Sequence, residues 1–266
     1  MAVLGFIGVG NMGGALAQAA AKKVSGPSLL LANRSPEKAE RLAARLGAQV
    51  SDNASIAAGA DYIFLGVKPQ MLPGVLAGLA PVLQQRQSPF VLVSMAAGTS
   101  IAQVRQLAGG DYPVIRIMPN TPASIGQGMI LFAPSADVPA DALETFLACM
   151  GAAGRFARLE ERLIDAGSAV SGCGPAFVDL FLEALADGGV ACGLPRSMAM
   201  ELAAQMVLGS AALALAGDRH PAQLKDAVCS PGGTTIQGVR ALEKRGFRSA
   251  VMEAVIAAYE KNFDLK

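Results

Sequence analysis

At 266 residues the chain has the length for one large domain or two smaller ones, with a core sufficient for stability. Its 22 basic and 21 acidic residues leave a formal charge of +1, which gives no electrostatic footprint for nucleic acid or an anionic membrane and points to a small partner. One histidine and four scattered cysteines (Cys149, Cys173, Cys192, Cys229), with no C-x-x-C pair, exclude the usual zinc sets and suit reduced thiols, so no metal and a cytoplasmic location are expected.

Met1 runs directly into an apolar strand with no basic leader, so no signal peptide is expected. The first half alternates short aliphatic runs, "AVLGFIG", "SLLLAN", "DYIFLGV", "PFVLVSM", "YPVIRIM" and "MILFA", with helix-length segments. That alternation predicts βαβ units and a doubly wound parallel sheet covered by helices, with Arg155 to Leu159 as a last edge strand. Beyond residue 160 the strand-like runs stop. Helices are expected over 160–169, 174–191, 196–216, 221–229, 234–245 and 248–263. The boundary is placed at 159/160, giving a dinucleotide-binding domain (1–159) and a helical domain (160–266). Met198–Ala216 approaches a membrane span in length, but Glu201 and Gln205 interrupt it, and burial in a core or subunit interface is the preferred reading. Asp179, Glu183 and Asp187 recur at i, i+4 and i+8 and read as a solvated face.

The stretch "GFIGVGNMGGAL" sets Gly8, Gly10 and Gly13 between the first strand and the first helix. Gly8 permits the tight turn, Gly10 lets backbone approach a pyrophosphate, and Gly13 lets helix and strand pack closely. A dinucleotide site for NAD would carry an acid at the end of the second strand to bond the ribose 2′-OH. This strand ends "LLLANRSPEK", so Asn33, Arg34 and Ser35 stand there instead and suit a 2′-phosphate, favouring NADPH with NADH used less efficiently. The alternative is that Asn-Arg-Ser simply caps the helix from Pro36.

In the helical half, "KDAVCSPGGTTIQG" (Lys225–Gly238) places Pro, two Gly and two Thr in a row. Such a turn can end one helix and cap the next; it also presents free N–H groups that bind an anion. Together with "RIMPNTPASIGQGM", "VSGCGPAF" and "ALADGGVACGLPR", the block resembles pyrroline-5-carboxylate reductase along nearly the whole chain. The resemblance implies a Rossmann-type domain followed by an all-α dimerisation domain, reduction of 1-pyrroline-5-carboxylate to L-proline, and a homodimer or higher oligomer. It implies that Ser230, Gly232, Gly233, Thr234 and Thr235 hold the substrate carboxylate, that Thr235 bonds near the ring nitrogen as the catalytic residue, and that Glu161 touches substrate. Cofactor contacts carry over onto Asn11 and Met12 beside the glycines, Asn33 to Ser35, Asn53, Val67, Lys68, Pro69, Ala96 and Ala97.

Cys173 and Phe177 depart from the Ser and Tyr usual in that family, which removes two hydroxyls from consideration. A cyclic iminium is already electrophilic, so hydride delivery needs positioning and charge stabilisation more than a proton relay. Two rival readings fit the residues less well. A β-hydroxyacid dehydrogenase would need a lysine in the first long helix of the second domain, yet no lysine stands between Lys68 and Lys225. An NADPH-binding sensor would have no need of a carboxylate cradle.

Overall fold

The computed structural model describes residues 2–265; residues 1 and 266, the outer ends of the two expected domains, lie outside the described residues. The first half builds β1 (Leu4–Ile7), α1 (Asn11–Ala20), β2 (Leu29–Ala32), α2 (Pro36–Leu46), β3 (Gln49–Val50), α3 (Asn53–Gly59), β4 (Tyr62–Leu65), α4 (Leu72–Gln85), β5 (Val91–Ser94), α5 (Ile101–Ala108), β6 (Val114–Met118), β7 (Gly128–Pro134), α6 (Ala140–Met150) and β8 (Gly154–Arg158). The eight strands form one sheet in the order β3-β2-β1-β4-β5-β6-β7-β8. Every residue of β1, β4, β5 and β6 is buried, as expected for strands covered on both faces. One face packs Phe6, Phe64 and Phe146, with the first two rings stacked at 4.3 Å. The other packs Ile63, Leu65, Leu76 and Leu92.

The sheet is mostly parallel, as expected of a doubly wound fold, with one exception: β7 runs antiparallel to β6. Residues 119–127 are all that join them, fewer than the dozen or so a parallel crossover needs. β8 then pairs parallel with β7 at the edge. β3 was not anticipated, being two exposed residues with no apolar pattern.

The helical half builds α7 (Ile164–Ser171), α8 (Gly174–Ala191), α9 (Arg196–Ala216), α10 (Pro221–Ala227), α11 (Thr234–Lys244) and α12 (Phe247–Lys261). The helix expected over 160–169 starts later, after a 3-10 turn at Glu161–Leu163. Contacts divide the chain into Met1–Cys173 with Ala258–Lys266, and Gly174–Ala257. This division falls later than 159/160 because α7 still packs on the sheet: Ile164 is fully buried with Met118, Leu131 and Ala133. Two stretches, Glu161–Ala191 and Arg196–Ala216, are long and apolar enough to cross a membrane by length and composition alone. On α9 only Ala199 and Ala203 are buried, while Leu208 is 61 % and Leu215 71 % exposed.

Candidate active site

The carboxyl ends of β2, β1, β4 and β5 lie side by side, and the chain order reverses between β1 and β4. This switch point is where open α/β sheets bind ligands. Gly8, Gly10, Asn11, Met12 and Gly13 follow β1, and Asn33, Arg34 and Ser35 follow β2. Val67, Lys68 and Pro69 follow β4, and Ala96 and Ala97 follow β5. Asn53 opens α3, beyond the short parallel strand β3. The structure therefore brings all the expected cofactor residues to one edge of the sheet.

The three glycines of the turn have different local reasons. Gly8 has φ +95°, and a Cβ there would lie 2.7 Å from the Gly66 carbonyl oxygen. A Cβ at Gly13 would strike the Gly8 carbonyl oxygen, so helix and strand can meet only without one. A Cβ at Gly10 would meet nothing within 4 Å: the space above it is open. No side chain caps α1, so the N–H groups of Asn11, Met12 and Gly13 have no helical acceptor and suit a phosphate. An open cradle at Gly10 and an uncapped helix start fit the pyrophosphate of a dinucleotide.

Asn33 also has a structural task. Its Oδ1 accepts from the Val9 N–H at 3.2 Å and its Nδ2 donates to the Ser35 carbonyl at 3.1 Å. The side chain ties the first two strand-end loops together, leaving Arg34, which is exposed, to face solvent at the strand end. Lys68 is exposed just before the 3-10 turn Pro69–Met71. Ala96 is buried and its N–H approaches the Ser94 hydroxyl at 3.4 Å.

Sequence reasoning passed over three features of this unit. Gly66 closes the far side of the turn: a Cβ there would collide with the Gly8 carbonyl oxygen, and the signal was a glycine directly after a buried strand. Beside the dinucleotide turn, a cleft of about 560 Å3 is lined from α2 by Lys38, Arg41 and Arg45. Inside the sheet, Arg116 of β6 is 3 % exposed and ion-paired with Asp165 of α7.

Glu161 belongs to this last group. Its Oε1 accepts from the Ile101 N–H at 2.6 Å, capping α5, and lies 3.7 Å from Arg116. Its carboxylate is thus held by the protein's own helix and by a buried guanidinium.

In the second unit, Ser230-Pro231-Gly232-Gly233 makes a tight turn closed by the Gly233 N–H on the Ser230 carbonyl at 3.0 Å. Gly232 has φ +70°, which follows Pro in turns that favour glycine at the third position. Gly233 is the N-cap of α11 and no side chain caps that helix, so the N–H groups of Thr234 and Thr235 face outward without helical acceptors. Ser230, Gly232, Thr234 and Thr235 are exposed. The Ser230 hydroxyl lies over Gly233, where a Cβ would displace it. Lys225 and Asp226 pair at 2.6 Å just before the turn, and that hydrogen bond holds the lysine pKa above its usual range. The single histidine, His220, caps α10 by accepting from the Ala222 N–H at 3.2 Å. Phe177 lines an apolar cleft of about 600 Å3 with Phe181 and Phe247, and Cys173 is half-buried in the turn before α8.

A switch-point dinucleotide turn followed by a helical domain with an uncapped, Gly-rich helix start defines a two-domain, nucleotide-dependent oxidoreductase. Residues 3–98 match the NADP oxidoreductase, coenzyme F420-dependent, model, and residues 161–265 match the pyrroline-5-carboxylate reductase dimerisation model. The pyrroline-5-carboxylate reductase of Synechocystis sp. is 46 % identical over 98 % of this chain and 97 % of its own. That of Escherichia coli is 41 % identical over 97 % and 96 %. A crystal structure of Plasmodium falciparum pyrroline carboxylate reductase with NADP bound has a TM-score of 0.89 at 32 % identity, covering 99 % of this chain and 98 % of that one. The chain belongs to the pyrroline-5-carboxylate reductase family.

Proposed function

We propose that this chain reduces the C=N bond of 1-pyrroline-5-carboxylate with NADPH to give L-proline. The observation that carries the reading is the presence, in one chain, of an open dinucleotide cradle at Gly10 and an uncapped helix start at Gly233–Thr235. NADPH supplies the hydride. The backbone of Gly10, Asn11, Met12 and Gly13 would hold its pyrophosphate, with Arg34 and Ser35 toward the 2′-phosphate and Asn33 fixing the loop that carries them. Asn53, Val67, Lys68, Pro69, Ala96 and Ala97 border the remainder of the same sheet edge.

The substrate carboxylate suits the N–H groups that open α11, where the helix dipole favours negative charge. Ser230, Gly232, Gly233, Thr234 and Thr235 form that cradle, and the Thr235 hydroxyl orients the ring nitrogen. Because the iminium is already electrophilic, fixing its carboxylate and ring is the main demand on the protein. Glu161 reaches substrate only in so far as its carboxylate is shared with Ile101 and Arg116. The functional boundary at 159/160 is part of this proposal.

The chain acts as a homo-oligomer, at least a dimer. Residues 161–265 match a dimerisation model, and the apolar surface of α9 needs a cover. A second copy supplies it without a membrane, and no nucleic-acid partner is invoked; a cytoplasmic location follows the same reading. The decisive experiment follows NADPH absorbance with the imine as substrate. Oxidation faster than the buffer rate is expected. No acceleration with the imine, together with turnover of a 2-hydroxy or 3-hydroxy acid, would refute the proposal.

A further inference from the structure

Arg116 stands in the middle of β6, is 3 % exposed and lies in register with Ser94, the last residue of β5. A guanidinium inside a buried sheet is a costly choice, because a buried ion pair is often no more stabilising than an apolar side chain of similar volume. Among the described residues its Nε also finds no acceptor, so the cost is not fully offset. What the guanidinium does is draw two carboxylates together, Asp165 by a direct ion pair and Glu161 at 3.7 Å. Glu161 in turn reaches across 60 residues of sequence to accept from the Ile101 N–H at 2.6 Å, at the first residue of α5. That helix already closes its start with a capping box between Ser100 and Gln103, so the Glu161 bond is a second tie on the same terminus. The segment thus anchored, residues 95–100, joins β5 to α5 and carries Ala96 and Ala97 at the cofactor edge.

We infer that Arg116 is a positioning residue for hydride transfer: acting through Glu161, it fixes the 95–100 loop against which the nicotinamide half of the coenzyme rests. The inference rests on the reading of the chain as an NADPH-dependent reductase. With the pyrophosphate on the turn after β1 and the 2′-phosphate toward the end of β2, the ends of β4 and β5 on the other side of β1 are left to face the nicotinamide half. Ala96 and Ala97 have no side chain that could adjust to a ring, so the place of the backbone itself sets the distance over which hydride passes to the iminium carbon. A misplacement of about 1 Å can slow such a step about a hundredfold. Arg116 touches neither coenzyme nor substrate in this scheme; it decides where the loop stands.

The test uses two variants of the full chain. Glu161→Gln keeps an oxygen for the Ile101 N–H but loses the attraction of Arg116. Arg116→Met combined with Asp165→Asn removes the guanidinium together with the charge it would strand, and Glu161→Gln, which retains the Arg116–Asp165 pair, still decides the matter where the double variant does not fold. Three readouts are taken: amide hydrogen exchange of residues 95–101 without coenzyme, calorimetric titration of 2′,5′-ADP, and the single-turnover rate of NADPH oxidation by saturating imine. Exchange over 95–101 is expected to be faster in both variants while residues 8–13 keep wild-type protection. Affinity for 2′,5′-ADP should stay within about twofold, since the ligand lacks the nicotinamide half, and the single-turnover rate should fall about tenfold to a hundredfold in the double variant and by less in Glu161→Gln. Adding Glu161→Gln to the double variant should lower the rate no further, because both act through one tie. Wild-type exchange over 95–101, or a wild-type single-turnover rate in the folded variants, overturns the inference alone. So does a loss of 2′,5′-ADP affinity as large as the loss of rate, which would mark general damage, or a raised KM for imine with the rate kept in Glu161→Gln, which would confine Glu161 to the substrate. No NADPH oxidation by the wild type with the imine overturns the functional reading, and the inference with it.

Discussion

Placing alanine at Gly8 and, separately, at Gly10 separates folding from cofactor binding within one turn. At Gly8 the backbone has φ +95°, a region that costs a residue with a Cβ about 1–2 kcal/mol. The new Cβ would also sit 2.7 Å from the carbonyl oxygen and 2.8 Å from the carbonyl carbon of Gly66, which are backbone atoms that cannot rotate away. Overpacking of that kind adds about 1–3 kcal/mol. The sum, roughly 2–5 kcal/mol, corresponds to a fall in Tm of about 5–15 °C for a chain of this size. At Gly10 φ is −68° and no atom lies within 4 Å, so Gly10→Ala loses only the N-cap preference, about 1 kcal/mol or less. Its methyl group instead enters the space through which a pyrophosphate approaches, and NADPH should bind about tenfold more weakly or worse, the equivalent of about 1.4 kcal/mol. Thermal unfolding without coenzyme and NADPH titration by fluorescence measure the two effects. Equal loss of Tm in both variants, or wild-type NADPH affinity in Gly10→Ala, would refute the division of roles.

At the second anion site, Thr235→Ala should cost about 1–3 kcal/mol in kcat/KM for the imine, the scale of a bond to a charged partner. Gly233→Val should cost more, mainly as raised KM, because its side chain displaces the Ser230 hydroxyl; NADPH affinity without imine should stay near wild type. Normal imine kinetics with weakened NADPH in both variants would assign the block to the coenzyme. Asp165→Ala should lower stability by about 3–5 kcal/mol, since among the described residues it leaves the buried Arg116 guanidinium with the Glu161 carboxylate alone, at 3.7 Å; a change in Tm below about 2 °C would contradict this. Burial pushes the Tyr62 phenol up to about 12, while its hydroxyl donates to the Ala142 carbonyl at 2.7 Å. The folded state keeps this proton where the unfolded chain has released it, so stability should be full below pH 10 and fall from about 10 to 12. Urea unfolding across that range should show a shallower fall in Tyr62→Phe.

The strands that hold the site were legible because burial on both faces leaves a plain apolar run, as in Tyr62–Leu65, where all four residues are buried. The dinucleotide turn was legible because spacing alone encodes its steric demands. Strand direction was harder, since a run such as "MILFA" reads the same in either sense; the shortness of residues 119–127 was the available signal. The Arg116–Asp165 pair left no local trace, because its members are 49 residues apart in sequence. Asn33 reads as a ligand from its place at the strand end, and its bond from the Val9 N–H appears only once two loops are side by side. The basic face of α2 was masked in the linear sequence by Glu37, just before its first cation, and by Glu40, between Lys38 and Arg41.

The exposed leucines of α9 also bear on how the protein is made. Ribosomes release the sheet-forming half first, and that half has the buried aromatic centre it needs to fold while synthesis continues. The last hundred or so residues emerge with only Ala199 and Ala203 of α9 shielded, so under the proposed homo-oligomer their apolar surface waits for a sister chain. Completion of the fold then becomes a second-order event: at low expression a nascent chain waits longer with sticky helices uncovered, and holdase chaperones have their best opportunity in that interval.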